Sequence, residues 1–116
     1  MSEKIMKTKS RLFAIRIVNL YKYLCGDKKE FVISKQILRA GTGIGANISE
    51  AEYSISKKEL LSKLYIALKE CAETQYWLEI LRDTSYISVQ EYDSIICDCI
   101  ELLKILTSAT KTLKNS

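Results

Sequence analysis

Leu38-Arg39-Ala40-Gly41-Thr42-Gly43-Ile44-Gly45-Ala46-Asn47-Ile48 is the stretch whose reading decides the fold. Three of the chain's four glycines fall here within five residues, which as a motif suggests a phosphate-cradling loop. The spacing does not fit: the dinucleotide pattern needs G-x-G-x-x-G after a strand, and the P-loop needs a terminal Gly-Lys followed by Ser or Thr. By propensity the stretch suggests a break, because three glycines inside a helix cost ~3 kcal/mol relative to Ala. Yet the apolar period passes through it in phase, from Ile37 and Ala40 to Ile44, Ile48 and Ala51, and steps of three and four are helical. The stretch is therefore helix. Gly41 and Gly45 lie one turn apart on one face beside Ser49, where close packing of a neighbouring helix is their expected role. Gly43 lies on the side of Arg39 and Glu50. Backbone exposed to a ligand is the other use of such glycines.

Working outward, the chain contains no Pro, which suits long uninterrupted helices. Asp27-Lys28-Lys29-Glu30, Ser56-Lys57-Lys58-Glu59 and Ser88-Val89-Gln90-Glu91 each have the form of a capping box and predict three helix starts. A further start is expected near Ser10, which predicts helices over residues 10–25, 28–54, 57–84 and 89–114. Each carries an apolar stripe: Phe13, Ile17, Leu20 and Leu24 in the first; Ile33, Ile37, Ala40, Ile44, Ile48 and Ala51 in the second; Leu60, Leu64, Ala67, Cys71, Leu78 and Leu81 in the third; Tyr92, Ile95, Cys99, Leu102, Leu106 and Leu113 in the fourth. Four such helices with short connections predict an all-α, antiparallel up-down four-helix bundle over residues 10–116, behind a basic flexible tail of residues 1–9.

There is more apolar surface than one seam uses. On the third helix Leu61, Tyr65, Ala72 and Tyr76 form a second line, and Ile66, Trp77 and Ile80 occupy another side. A helix apolar nearly all round has to be covered. Self-association is expected, with Leu61, Tyr65, Ala72 and Tyr76 as the candidate interface; a monomer with a partner-binding groove is the alternative.

Composition narrows the function. The 116 residues include no His, which removes the commonest general base, Ser-His and Cys-His nucleophile pairs and imidazole-ligated metals. Cys25, Cys71, Cys97 and Cys99 contain no Cys-x-x-Cys spacing and read as reduced core or surface thiols of a cytoplasmic protein. No apolar run approaches the ~20 residues of a membrane span, so no membrane association is expected, and no cofactor. Net charge is +4 but uneven: residues 1–40 carry ten Lys or Arg against three acids, a balance of +7, and residues 41–116 carry eight against eleven, a balance of −3. The basic end, Lys4, Lys7, Lys9, Arg11, Arg16, Lys22, Lys28 and Lys29, is either a solvated face or an electrostatic footprint for a phosphate backbone.

Polar residues within the apolar context are the remaining clue. Glu70, Glu73 and Trp77 neighbour one another on the third helix, and Arg39, Asn47 and Glu50 lie on the second. Paired carboxylates resemble half of a di-metal bundle site, but such sites use Glu-x-x-His. Interhelical pairing, such as Arg39 with Glu70 or Glu73, is the expected role.

The blocks Leu38 to Ala51 and Ile66-Ala67-Leu68-Lys69-Glu70-Cys71-Ala72-Glu73-Thr74-Gln75-Tyr76-Trp77-Leu78 resemble the family called four helix bundle protein. Its members include proteins encoded by intervening sequences of bacterial large-subunit ribosomal RNA genes, and it is related to accessory variability proteins of diversity-generating retroelements. The resemblance covers about residues 10–112. It implies a bundle assembled as a ring-like homopentamer without established enzymatic activity, a link to ribosomal RNA, and, from the retroelement relatives, binding of RNA or DNA and of a reverse transcriptase through a basic surface. Arg39, Asn47, Glu50, Glu70, Glu73 and Trp77 match the pattern and would be its structural polar network. The expected protein is a non-enzymatic homo-oligomer that binds nucleic acid through its basic N-terminal surface; a structural or protein-interaction scaffold without nucleic acid is the alternative.

Overall fold

The computed structural model describes residues 2–116. They form four helices, α1 (Ser2–Gly26), α2 (Ile33–Ala51), α3 (Lys57–Asp83) and α4 (Val89–Lys114), with no strand among the described residues. The body measures 46 × 21 × 19 Å, and its long dimension is close to the ~40 Å of a 27-residue helix. Each helix packs on two neighbours only: α1 on α2 and α4, and α3 on α2 and α4. Residue pairs fix the directions. Lys7 meets Glu52 and Lys9 meets Glu101 at one end of α1, while Arg16 meets Asp98 further along. Lys63 meets Glu50 and Arg39 meets Glu73 between α2 and α3. Every neighbouring pair is thus antiparallel, as in an up-down bundle.

The apolar stripes line the centre, with Ile17, Leu24, Ile37, Ile44, Leu78, Leu81 and Leu106 fully buried. Thr74 fills the gap in the α3 stripe between Cys71 and Leu78; it is buried, and its hydroxyl donates to Glu70 O at 2.7 Å. That bond satisfies the only polar group the residue brings into the core.

Two expected boundaries are corrected. Residues 2–9 are not a tail but the first turns of α1, because Met6 continues the stripe of Phe13 and Ile17 and is 5% exposed. Ser10 therefore lies inside the helix, buried, its hydroxyl donating to Lys7 O. Asp27-Lys28-Lys29-Glu30 is not a capping box. The amides of Asp27 and Lys28 bond back to Tyr23 O and extend the end of α1, Lys29 turns the chain at φ 54°, and α2 begins only at Ile33. Glu30 caps forward instead, accepting from the amides of Val32, Ile33 and Ser34 at 3.2, 3.1 and 2.7 Å. These donors have no intrahelical partner, so the carboxylate takes the role a cap side chain normally plays. At the other two starts Ser56 accepts from the Glu59 amide, and Ser88 and Glu91 form a reciprocal capping box.

Burial pushes the Glu30 carboxyl up, but the amide bonds from Ile33, Ser34 and Val32 outweigh it and hold the group below its usual range. Its stabilisation is therefore complete above the unfolded carboxylate value of about 4.3 and is lost as the pH falls through the lower folded value. Glu30→Gln is expected to cost about 1–2 kcal/mol at neutral pH, and the difference from the parent protein shrinks towards pH 3 in urea melts run at both pH values.

The α1–α2 seam depends on two glycines. A Cβ on Gly41 would lie 2.7 Å from Ile17 Cγ1 and 2.8 Å from Cγ2, and one on Gly45 would lie 3.3 Å from the Ser10 carbonyl oxygen. Ile17 is fully buried and those atoms sit at its branch point, so they cannot swing away. Gly41→Ala is expected to destabilise by about 1–3 kcal/mol in chemical denaturation, despite Ala's better helix propensity.

Candidate functional site

Two surfaces of the bundle hold the residues singled out from the sequence. The first is the outer side of α1. With about 100° per residue, Lys4, Arg11, Ile15 and Lys22 fall within about 40° of one another, opposite the buried line of Met6, Phe13, Ile17 and Leu24. Lys4, Arg11 and Lys22 are exposed, as are Lys28 and Lys29 in the following loop, and none of the five is in an ion pair among the described residues. The line from Lys4 to Lys22 runs ~27 Å along the helix axis. Ile15 and Leu12, 48% and 61% exposed, give it an aliphatic floor. Lys28 also stands over the Tyr23 ring, 5.9 Å from its centroid.

The other three candidate cations are on the flanks and are committed. Lys7 pairs with Glu52 at 3.0 Å, Lys9 with Glu101 at 3.1 Å and Arg16 with Asp98 at 2.9 Å. Arg16 also donates to the backbone and hydroxyl of Ser94. The eight basic residues thus divide into an outward set of five and a flanking set of three that ties α1 to α2 and α4.

The second surface is the α2–α3 groove and the outer side of α3. Arg39 lies 3.6 Å from Glu73, which also accepts from Trp77 Nε1 at 3.1 Å, and Arg39 donates to Gln36 at 3.0 Å. Glu70 lies beside this cluster with its carboxylate over Gly43, where a Cβ would collide with it. Burial, then the charge of Glu73, pushes the Glu70 carboxyl up, opposed by Arg39. Glu50 belongs to a separate pair, accepting from Lys63 at 2.8 Å. Asn47 bonds within its own helix, donating to Gly43 O at 2.8 Å. The six polar residues are therefore not one network: Arg39, Glu70, Glu73 and Trp77 gather, and Asn47 and Glu50 do not join them. Outward from the groove, Tyr65, Ala72 and Tyr76 are exposed and Leu61 is half-buried; the Tyr76 ring meets Trp77 edge-on at 5.0 Å.

Sequence reasoning misses the ion-pair partners Glu52, Lys63, Asp98 and Glu101, which have no local signal because each is distant in the chain from the residue it pairs with. It also misses an open groove at the end of the bundle, formed where the start of α1, the α2–α3 turn and the end of α4 converge. Among the described residues no helix is long and apolar enough to cross a membrane.

Two variants test the Glu70 position. A folded carboxyl value raised above the unfolded one is a penalty that is absent below the unfolded value and complete above the folded one. Glu70→Gln is expected to raise the urea midpoint at pH 7, with the gain vanishing below about pH 4. Gly43→Ala displaces only the far end of a flexible side chain, so it is expected to be neutral or stabilising by up to about 1 kcal/mol, in contrast to Gly41→Ala.

Comparison with known proteins places this geometry. A search of curated proteins finds no match. A crystal structure of a protein of unknown function from the S23 ribosomal protein family of Bacteroides thetaiotaomicron is similar, with 55% identity, 96% of this chain and 99% of that chain covered, and a TM-score of 0.95. The family model described as 23S rRNA-intervening sequence protein matches residues 2–108. With the match running from the first turn of α1 into the last turns of α4, the chain belongs to the 23S rRNA-intervening sequence protein family.

Proposed function

We propose that this protein is a non-enzymatic, self-associating helical bundle that binds the phosphate backbone of nucleic acid along the outer side of α1. The observation that carries the reading is the placement of two unlike faces. The outward cations Lys4, Arg11 and Lys22 lie on α1, and the aromatic line Tyr65 and Tyr76 lies on α3. The backbones of these two helices do not approach each other, since each runs beside α2 and α4. They occupy opposite corners of the bundle, so the two faces point away from each other. Copies associating through Leu61, Tyr65, Ala72 and Tyr76 leave the basic line of every subunit accessible. A closed ring is the natural form for a contact of this kind between identical chains, and the family resemblance favours a homopentamer. Five copies multiply the +4 charge of each and raise the local field on an approaching polyanion.

The names of the family and of the solved relative point to ribosomal RNA, which makes RNA the first nucleic acid to test. A reverse transcriptase or another protein partner would be a later question. The commitment of Lys7, Lys9 and Arg16 to carboxylates favours the second reading, a scaffold whose charges only solvate it.

Binding of fluorescent duplex RNA and duplex DNA across a salt series separates the two. Backbone binding is expected to weaken with salt at a log–log slope of about −0.9 for each phosphate engaged. Lys4→Gln/Arg11→Gln/Lys22→Gln is expected to remove most of it, and Lys7→Gln little. No binding at low salt, or binding indifferent to salt, establishes the scaffold reading. Light scattering after gel filtration tests assembly: Tyr65→Asp/Tyr76→Asp is expected to dissociate the oligomer, and a parent protein of 13.3 kDa at high micromolar concentration would overturn self-association.

A further inference from the structure

Cys71 on α3 and Cys99 on α4 face each other across the core with their sulfurs 3.8 Å apart. Both are buried, at 0% and 1% exposure. Each sulfur also reaches the other residue's backbone: Cys71 Sγ donates to Cys99 O at 3.2 Å, and Cys99 Sγ lies 3.5 Å from Cys71 O. This reciprocal contact requires the two helix backbones to approach closely at this level, as a disulfide between facing helices also requires. Going from 3.8 Å to a bond of about 2.05 Å needs less than about 2 Å of relative sulfur movement, within reach of side-chain rotation. The other cysteines lack this arrangement. Cys97 is exposed, and Cys25 has Ser34 as its neighbour, at 3.6 Å.

We propose that Cys71 and Cys99 form an oxidation site, at which a hydroperoxide converts the two thiols into an intramolecular disulfide that staples α3 to α4. The two thiols stand in equivalent positions, each sulfur against the other and against the other residue's carbonyl, so one of them attacks and its neighbour resolves. The attacking sulfur, as thiolate, takes the peroxide oxygen, the O–O bond breaks, and the departing alkoxide takes up a proton to leave as alcohol, or as water when the oxidant is hydrogen peroxide. The attacking cysteine is then a sulfenic acid. The neighbouring sulfur attacks it, the S–O bond breaks, and the oxygen leaves as water with the proton of that second thiol. Two thiols are oxidised by two electrons and one hydroperoxide is reduced. Because the sulfurs are shielded, the reaction waits on local opening of the α3–α4 seam and is slower than oxidation of exposed Cys97.

The test uses Cys25→Ser/Cys97→Ser, which keeps only the buried pair. After hydrogen peroxide treatment of the folded protein, tryptic peptides 70–82 and 83–104 are expected to be joined, two hydrogens lighter than their sum, with the chain still single on a non-reducing gel. Tm is expected to rise by roughly 10 °C and to return with dithiothreitol. Adding Cys99→Ser is expected to abolish both the cross-link and the shift. Peptides that stay separate after exposure well beyond that which consumes Cys97 in the parent protein, or either cysteine of the pair recovered as sulfinic acid, would overturn the proposal.

Discussion

The closeness with which α2 approaches its two neighbours is the constraint on which the rest of this bundle depends. Gly41 and Gly45 bring α1 within reach of the α2 backbone, with Ile17 packed where one Cβ would be and the Ser10 carbonyl against the other. On the opposite flank Gly43 leaves room for the Glu70 carboxylate of α3. Each glycine costs about 1 kcal/mol of helix propensity, which at Gly41 is offset by apolar contact with Ile17 at short range. In a four-cornered bundle each helix has only two neighbours, so the spacing at α2 sets two of the four seams directly. It also sets the rotation of α1, which presents Lys4, Arg11 and Lys22 outward.

Charge is then sorted by position. The flanking cations Lys7, Lys9 and Arg16 meet carboxylates on α2 and α4. These pairs are part-exposed, and such pairs are worth little in stability; their effect here is to leave Lys7, Lys9 and Arg16 engaged on the flanks and apart from the outward basic line. The outward line keeps its charge because α1 carries a single acidic residue, in its first turn. The exposed aromatics are held on the diagonal helix, where the α2–α3 groove gathers Arg39, Glu73 and Trp77 beside them. Assembly and recognition, as proposed, thus use separate faces of one small core.

Legibility in the sequence followed the range of the interaction. Ser56 and Ser88 act within one turn and start their helices where the local pattern placed them. Asp27-Lys28-Lys29-Glu30 carried the same pattern and did something else, because the backbone of Asp27 and Lys28 was already engaged with Tyr23. Glu30 was then free to cap the amides ahead of it. Ser10 looked like a helix start, yet Met6 one turn earlier adds enough apolar contact to carry the helix back to Ser2. A cap signal is local, and burial of a distant stripe outweighs it.

The sequence by itself determined that there are four helices, where their apolar stripes run and that residues 38–48 continue a helix through three glycines, because periodicity and propensity act over a few residues. Tertiary structure alone decided which carboxylate meets which cation, that Asn47 and Glu50 stand apart from Arg39, Glu70, Glu73 and Trp77, and that Cys71 and Cys99 share one point in the core. Those outcomes depend on the separation and rotation of helices distant in the chain, which only the packing of side chains at their seams specifies.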